Sequence, residues 1–305
     1  MVFLPLQFNF LEDETDQILG RQNRMAIATA WSWSAQKWPM RLAGNLRGEV
    51  INQQAVLLPG LSIDGGKNIF YKINVQKTYR APSLNELYYD PGGQINLRPE
   101  EGWNADAQVG IIKKWTNHFG LKADQSFYYR NIKDWIIWYG GAIWTPHNIA
   151  RVRSVGGETH IDFEKSCNRW KAHLGGQLHY GQSIVVESIA PNSGGLGNQI
   201  PNTPQLSWRI YGQWDWKNLS VGLNCSYTGL RYSTIDESEW VPEYCLLNGT
   251  LDYKMHVQKC PIALGINVNN LTNRQYQIVN GRPMPGINAM IYLKISFSKN
   301  LFSEN

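Results

Sequence analysis

The chain has 305 residues and a net charge of +5, with 43% apolar but only 17% charged residues, and it is rich in Trp (13), Tyr (15) and Gly (28). The positive charge is dispersed rather than gathered into a basic stripe, which argues against nucleic acid, and no apolar run approaches the ~18 residues of a transmembrane helix. A soluble α/β enzyme would carry more Leu, Ala and Glu, whereas many aromatics with few charges suit strands whose outer faces need no water.

The start, Met1 to Leu6, has no basic region, carries Pro5 in its apolar run and lacks a small-residue cleavage site, so it is a poor secretory signal. An outer-membrane protein would therefore have its true N-terminus elsewhere, upstream or on another chain. Residues 1–21 are expected to hold one strand, Leu4–Phe10, and then an acidic loop from Glu12 to Asp16. From Arg24 onward, apolar and polar residues alternate. The segments are 24–39, 39–48, 54–63, 68–79, 103–115, 119–131, 151–166, 170–185, 204–216, 219–232, 244–256, 261–271 and 287–297. Period two places the two sets on opposite faces of a strand. In 206–216, for example, Leu206, Trp208, Ile210, Gly212, Trp214 and Trp216 oppose Ser207, Arg209, Tyr211, Gln213 and Asp215.

The connections alternate short and long. Short ones fall at 36–38, 64–67, 116–118, 167–168, 217–218 and 257–259; long ones fall at 80–102, 132–150, 186–203, 233–243 and 272–286, with 49–53 as an exception. Tight turns at one rim and long loops at the other describe an outer-membrane barrel. Trp38, Trp115, Trp170, Trp214 and Trp216 lie beside short turns, where an interfacial girdle belongs. The expected fold is all-β, a transmembrane antiparallel β-barrel. About 13–14 strands of at least ~9–11 residues each exceed what a sandwich needs.

Four stretches carry a family resemblance. The first runs Tyr79-Arg80-Ala81-Pro82-Ser83-Leu84-Asn85-Glu86-Leu87, then Asn96-Leu97-Arg98-Pro99-Glu100. The second is Ser154-Val155-Gly156-Gly157-Glu158, and the third Ile200-Pro201-Asn202-Thr203-Pro204. The last is Asn267-Val268-Asn269-Asn270-Leu271-Thr272-Asn273-Arg274-Gln275-Tyr276, followed by Pro285-Gly286 and a strand reaching Phe297. In this order they resemble the C-terminal part of the barrel of TonB-dependent outer-membrane receptors of Gram-negative bacteria, importers of siderophores, haem, cobalamin and glycans. The resemblance implies a barrel portion at 22–297 and a tail at 298–305. It supplies no counterpart of the family's N-terminal plug, and about eight or nine strands of its ~22-stranded barrel are absent. The implied partners are outer-membrane lipid, those plug and barrel strands on the same or a separate chain, the TonB energy-coupling complex through the plug, and a small-molecule ligand. Phe297 departs from the family in not ending the chain.

The resemblance makes Tyr79 to Ser83, Glu86, Leu87, Asn96, Leu97, Pro99, Glu100, Gly157, Glu158, Asn270, Leu271, Tyr276, Pro285, Gly286 and Phe297 architectural, and Arg80 and Glu86 are expected to pair. Ligand contact is assigned instead to Tyr88, Tyr89 and Asp90, and to the aromatic stretch Trp135, Trp138, Tyr139, Trp144 and His147, whose rings could stack on a ligand. His160, His173 and His179 take the polar phase and should face the lumen, where hydrogen bonding outweighs ligation. No cofactor or metal is expected. Cys167 and Cys260 complete a set of four cysteines with no CxxC pair or zinc spacing; Cys225 and Cys245 sit on the apolar phase as small hydrophobes, with a disulfide left open. No nucleophile elbow, phosphate loop or His-Glu-x-x-His is present. The sequence therefore reads as a non-enzymatic uptake component, with siderophore-iron or cobalamin favoured as ligand. A passive porin-like channel and a non-functional receptor fragment are the alternatives.

Overall fold

A computed structural model describes residues 2–295 except 4–5, 16–17, 35–38, 52–53, 117, 141, 188–194 and 258–259. Trp38, Phe297 and the 298–305 tail lie outside the described residues. The strands are β1 (Val2–Phe3), β2 (Leu6–Thr15), β3 (Ile18–Ser34), β4 (Met40–Ile51), β5 (Gln54–Gly66) and β6 (Ile69–Arg80). A short helix, α1 (Leu84–Tyr88), precedes β7 (Glu100–Thr116), β8 (Phe119–Tyr139), β9 (Thr145–Cys167) and β10 (Trp170–Glu187). The series continues through β11 (Leu206–Trp216), β12 (Leu219–Thr228), β13 (Arg231–Tyr232), β14 (Trp240–Val241) and β15 (Tyr244–Val257). It ends with β16 (Cys260–Asn269), β17 (Gln277–Val279), β18 (Arg282–Pro283) and β19 (Asn288–Ile295).

Fifteen strands form one antiparallel sheet, almost every neighbour in space being the neighbour in sequence. β1 and β2 share one register along β3 and count as a single edge strand, so the described sheet has fourteen strand positions, the two edges included. β19 forms the other edge and, among the described residues, pairs only with β16. The sheet is thus the wall of a partial barrel whose edges do not meet. Unpaired backbone groups along an edge are costly in lipid.

The wall has no apolar interior. Outward positions carry Met25, Ile27, Trp33, Ile73, Val109, Phe127, Ile210, Leu223, Ile291 and Leu293, all exposed. Their neighbours along each strand point to the inner face and include the polar row His160, Gln177, Arg209, Ser226. The girdle residues Trp115, Trp214 and Trp216 are exposed at the short-turn rim, with Trp214 and Trp216 stacked at 6.2 Å.

Buried apolar side chains lie instead beyond the wall at the long-loop rim. Ile149, Val152, Val185 and Ile200 form the core cluster, flanked by Trp135, Ile137 and Ile235. This small core joins the ends of β8, β9 and β10 to the loops that follow β10 and β12.

Three expectations are corrected. The acidic segment is strand rather than loop as far as Thr15, because β2 runs unbroken from Leu6 along β3. The expected long loop at 132–150 is a hairpin: β8 reaches Tyr139 and β9 begins at Thr145, with Trp138 paired to Pro146. The segment 219–232 is two strands, since β12 ends at Thr228 and Arg231–Tyr232 pairs with Trp240–Val241. On the inner face, by contrast, all three histidines stand beside a polar side chain. His173 Nε2 is 2.9 Å from Asp162, which also accepts from Tyr211 Oη at 2.7 Å. His160 lies 3.4 Å from Asp124, and His179 2.9 Å from Tyr128 Oη.

Candidate ligand-capture site at the long-loop rim

Residues 81–99 leave β6 at Arg80 and return into β7 at Glu100. Ser83 caps α1 in a reciprocal box: Glu86 N donates to Ser83 Oγ (3.2 Å) and Ser83 N donates to Glu86 Oε2 (2.7 Å). This satisfies donors that a one-turn helix cannot pair internally. Arg80 then grips the loop at both ends. Its Nη1 donates to both Glu86 oxygens (3.1 and 2.9 Å) and its Nη2 to Glu100 Oε1 (2.5 Å). The hydrogen bond to Glu100 leads in raising the Arg80 pKa still further, so the guanidinium is always charged. Both carboxylates are 8% exposed, a burial that two acids tolerate only when paired and hydrogen-bonded. Glu100 also accepts from the Ile136 backbone N–H at 2.8 Å, and Gln22 donates to the Pro82 carbonyl at 3.1 Å. One arginine thereby ties the loop, β7 and the β8–β9 hairpin together.

A second clasp was not legible in the sequence. Arg98 N donates to Asn148 Oδ1, and Asn148 Nδ2 donates back to Arg98 O, each at 2.9 Å. Arg98 Nε also donates to Asp134 Oδ1 at 2.8 Å, and Asn148 Nδ2 to the Asp134 carbonyl at 2.7 Å. Asp134 has φ 53°, a left-handed conformation inside β8; an Asp at the head of the apolar run 135–139 was the available signal. At the tip, Gly92 (φ 134°) lies so close to the hairpin that a Cβ there would stand 2.4 Å from Trp144 O. Only glycine permits that approach.

These clasps bring together the two groups of ligand residues expected from sequence. Tyr89 meets Trp138 edge-on at 6.1 Å, and Tyr139 meets His147 at 4.3 Å. Thr145 Oγ1 lies 2.6 Å from His147 Nε2, and burial lowers the His147 pKa, which favours the neutral ring. Tyr89, Asp90, Tyr139 and Trp144 are exposed at the tip, while Tyr88 is half-buried. Trp135 differs from the rest because it packs on the rim core.

The other family stretches are structural corners. Asn270 is buried at φ 53°, donates through Nδ2 to Arg274 O (2.9 Å) and Pro285 O (3.3 Å), and accepts from Arg274 N (2.8 Å). The Leu271 N–H bonds Leu247 O, Tyr276 packs on Tyr244 at 4.7 Å, and a Cβ on Gly286 would meet Asn273 Oδ1. Gly156 and Gly181 lie beneath Tyr128, whose hydroxyl would be 2.5 and 2.3 Å from their added Cβ atoms. The ring crosses both glycines to reach His179. Gly157 faces the opposite way, and Glu158 stands on the inner wall beside His160. Cys225 and Cys245 are free thiols on the outer face with sulfurs 3.4 Å apart.

An antiparallel wall with an apolar outside, a polar inside and ligand-sized aromatic loops at one rim defines a transmembrane β-barrel of the outer membrane. The TonB-dependent receptor-like β-barrel family model matches residues 29–271, and the chain belongs to that family, whose members are Gram-negative outer-membrane proteins. It is 26% identical over 222 residues to the vitamin B12 transporter BtuB of Vibrio vulnificus (strain YJ016), covering 72% of this chain and 32% of the relative. Among solved structures it resembles the copper transporter OprC, with a TM-score of 0.68 at 16% identity over 90% of this chain and 47% of that one. A variant of the ferric enterobactin receptor PfeA of Pseudomonas aeruginosa, in complex with enterobactin, gives a TM-score of 0.67 at 14% identity, over 90% of this chain and 45% of that one. The chain thus spans about half the length of these structures and about a third of the curated relative.

Proposed function

We propose that this chain supplies the ligand-capturing barrel wall of a TonB-energised receptor, taking up siderophore-bound iron or cobalamin. Its role is recognition and passage, with no covalent step. The observation that carries the reading is the double clasp at the long-loop rim, through Arg80 and Arg98. It holds Tyr89, Trp138, Tyr139 and Trp144 at a fixed aromatic mouth, within a family of receptors and transporters. A preordered aromatic surface binds a large planar or macrocyclic ligand without first spending free energy on ordering the loop. Coupling to TonB runs through a plug inside the completed barrel, which the inner wall's hydrogen-bonding side chains would contact.

Titration of the full chain in detergent with cyanocobalamin and with a ferric catecholate, followed by Trp fluorescence, tests this. Saturable quenching by one ligand, weakened in Tyr89→Ala and Trp138→Ala, is expected. Quenching by neither, together with steady conductance in planar bilayers, would replace the reading with a passive channel.

A further inference from the structure

Cys225 and Cys245 belong neither to the capture site nor to the inner wall. Register makes them diagonal neighbours across β12 and β15: Cys225 faces Leu247, and Cys245 faces Tyr227. Both take the outward phase, Cys225 beside Ile210 and Cys245 in the row Leu178, Trp208, Tyr227. Both thiols are free and their sulfurs lie 3.4 Å apart. A disulfide needs about 2.05 Å, so about 1.4 Å of side-chain rotation and strand adjustment closes the bond. One lipid-facing cysteine is a small hydrophobe; two in contact across strands are also a redox couple. Four cysteines allow three complete pairings, and among the described residues the fold brings only these two together. Cys260 opposes Val257, twelve residues along β15 from Cys245 and so about 40 Å away. Cys167 opposes Trp170 at that same short-turn rim.

The place of the pair gives an oxidant access and gives the bond a consequence. Cys225 is three residues from the end of β12, and Cys245 is the second residue of β15. Both therefore lie at the long-loop end of the wall, where water supplies the ionised thiol that exchange requires. Between them runs the 229–243 connection, which holds β13 and β14. That connection leans on the rim: Ile235 packs on the core cluster, and Gln199 N donates to Glu237 Oε1 at 2.8 Å. Asn198 Nδ2 donates to the Ile235 carbonyl at 3.2 Å. A bond across the base of the connection joins this strap covalently to two wall strands. Cys245 is exposed and Cys225 half-buried, which sets the order in which the two thiols react.

From this geometry we infer that Cys225 and Cys245 form a reversible disulfide staple across β12 and β15, closed by exchange with a low-molecular-weight disulfide. Cys245 Sγ loses its proton to water and attacks one sulfur of the oxidant. The oxidant's S–S bond breaks, its other half leaves as a thiolate that takes up a proton, and a mixed disulfide remains on Cys245. Cys225, deprotonated in turn, attacks Cys245 Sγ; the Sγ–Sγ bond forms and the second half leaves as a thiol. Two cysteines are oxidised and one disulfide is reduced to two thiols.

The reduced full chain in detergent, freed of reductant, tests this. It is treated with oxidised glutathione, blocked with a maleimide and digested with a glutamyl endoprotease without reduction. Cleavage after Glu237, Glu239 or Glu243 parts the two cysteines, so only an Sγ–Sγ bond keeps them on one species. The expected result is loss of two of the four maleimide-reactive thiols, a Cys225–Cys245 linked peptide pair, and recovery of both thiols with dithiothreitol. Cys225→Ser should retain glutathione on Cys245, while Cys245→Ser should carry far less on Cys225. Heat-modifiable gel mobility reports folding of both variants, and the mapping of the unsubstituted chain needs neither. Four thiols retained, glutathione on both cysteines with no link between them, or a link through Cys167 or Cys260 would overturn the staple. The same yield of the 225–245 link from urea-unfolded chain would credit sequence proximity and overturn the role given to strand register.

Discussion

The wall and the long-loop rim of this molecule follow opposite rules. At the rim, Val152 and Val185 are 0% and 1% exposed and pack as in a water-soluble core. A few strand turns below, Ile210 is 53% exposed and Ile291 73% exposed, while their polar neighbours turn inward. The rim is stabilised by removing apolar surface from water and pairing buried charge; the wall by hydrogen-bonded strands whose apolar side chains meet lipid, which rewards a Leu no more than another Leu would. β8 and β9 pass from one regime to the other along their own length.

That contrast can be broken from either side. The largest effect is expected for Glu100→Ala, which strips Arg80 and the Ile136 N–H of a buried partner. It should cost about 3–5 kcal/mol locally, read as accelerated proteolysis and hydrogen exchange in 81–99. Ile210→Lys places a charge on the lipid face and should cost about 2–4 kcal/mol in vesicle unfolding titrations. Val152→Ala should cost about 2 kcal/mol, whereas Ile210→Ala should stay within about 1 kcal/mol, because lipid fills the space. Equal costs for those two alanines would erase the distinction between the regions. The smallest effect concerns His147. Burial lowers its pKa, so the folded rim binds fewer protons than the unfolded chain. Its contribution is full above the ordinary value near ~6.5 and declines as pH falls below it. NMR titration of the ring should show a midpoint below that value, and the pH dependence of rim exchange should flatten in His147→Gln.

Legibility followed the same division. Alternation marked β11, β15 and β19 almost to the residue, because one face meets lipid and the other polar groups. It failed at Trp135-Ile136-Ile137-Trp138-Tyr139, where the hairpin is covered on both faces by the rim core and the 81–99 loop. A strand buried on two sides has no reason to alternate, and the stretch read as loop. The strand from 219 ran too far for a related reason: Gly229 and Leu230 interrupt pairing without interrupting the pattern. The Arg80–Glu86 pair was legible because six residues and a capping box separate the partners. Glu100's bond to Ile136 N, and Asn148's to Arg98 and Asp134, were not, because they depend on where separate strands lie.

The chain's own residues determined which face of each strand meets lipid, where it turns, and the corners built on Asn270 and Gly286, since period two, φ preference and local hydrogen bonds act within a few residues. Tertiary structure alone decided what lies side by side. Strand register set Lys77, Trp103, Asn131 and Arg153 in one row, and the Arg80 and Arg98 clasps carried Tyr89 onto Trp138. Lateral register and loop docking are sums over long-range pairings, which no local pattern encodes.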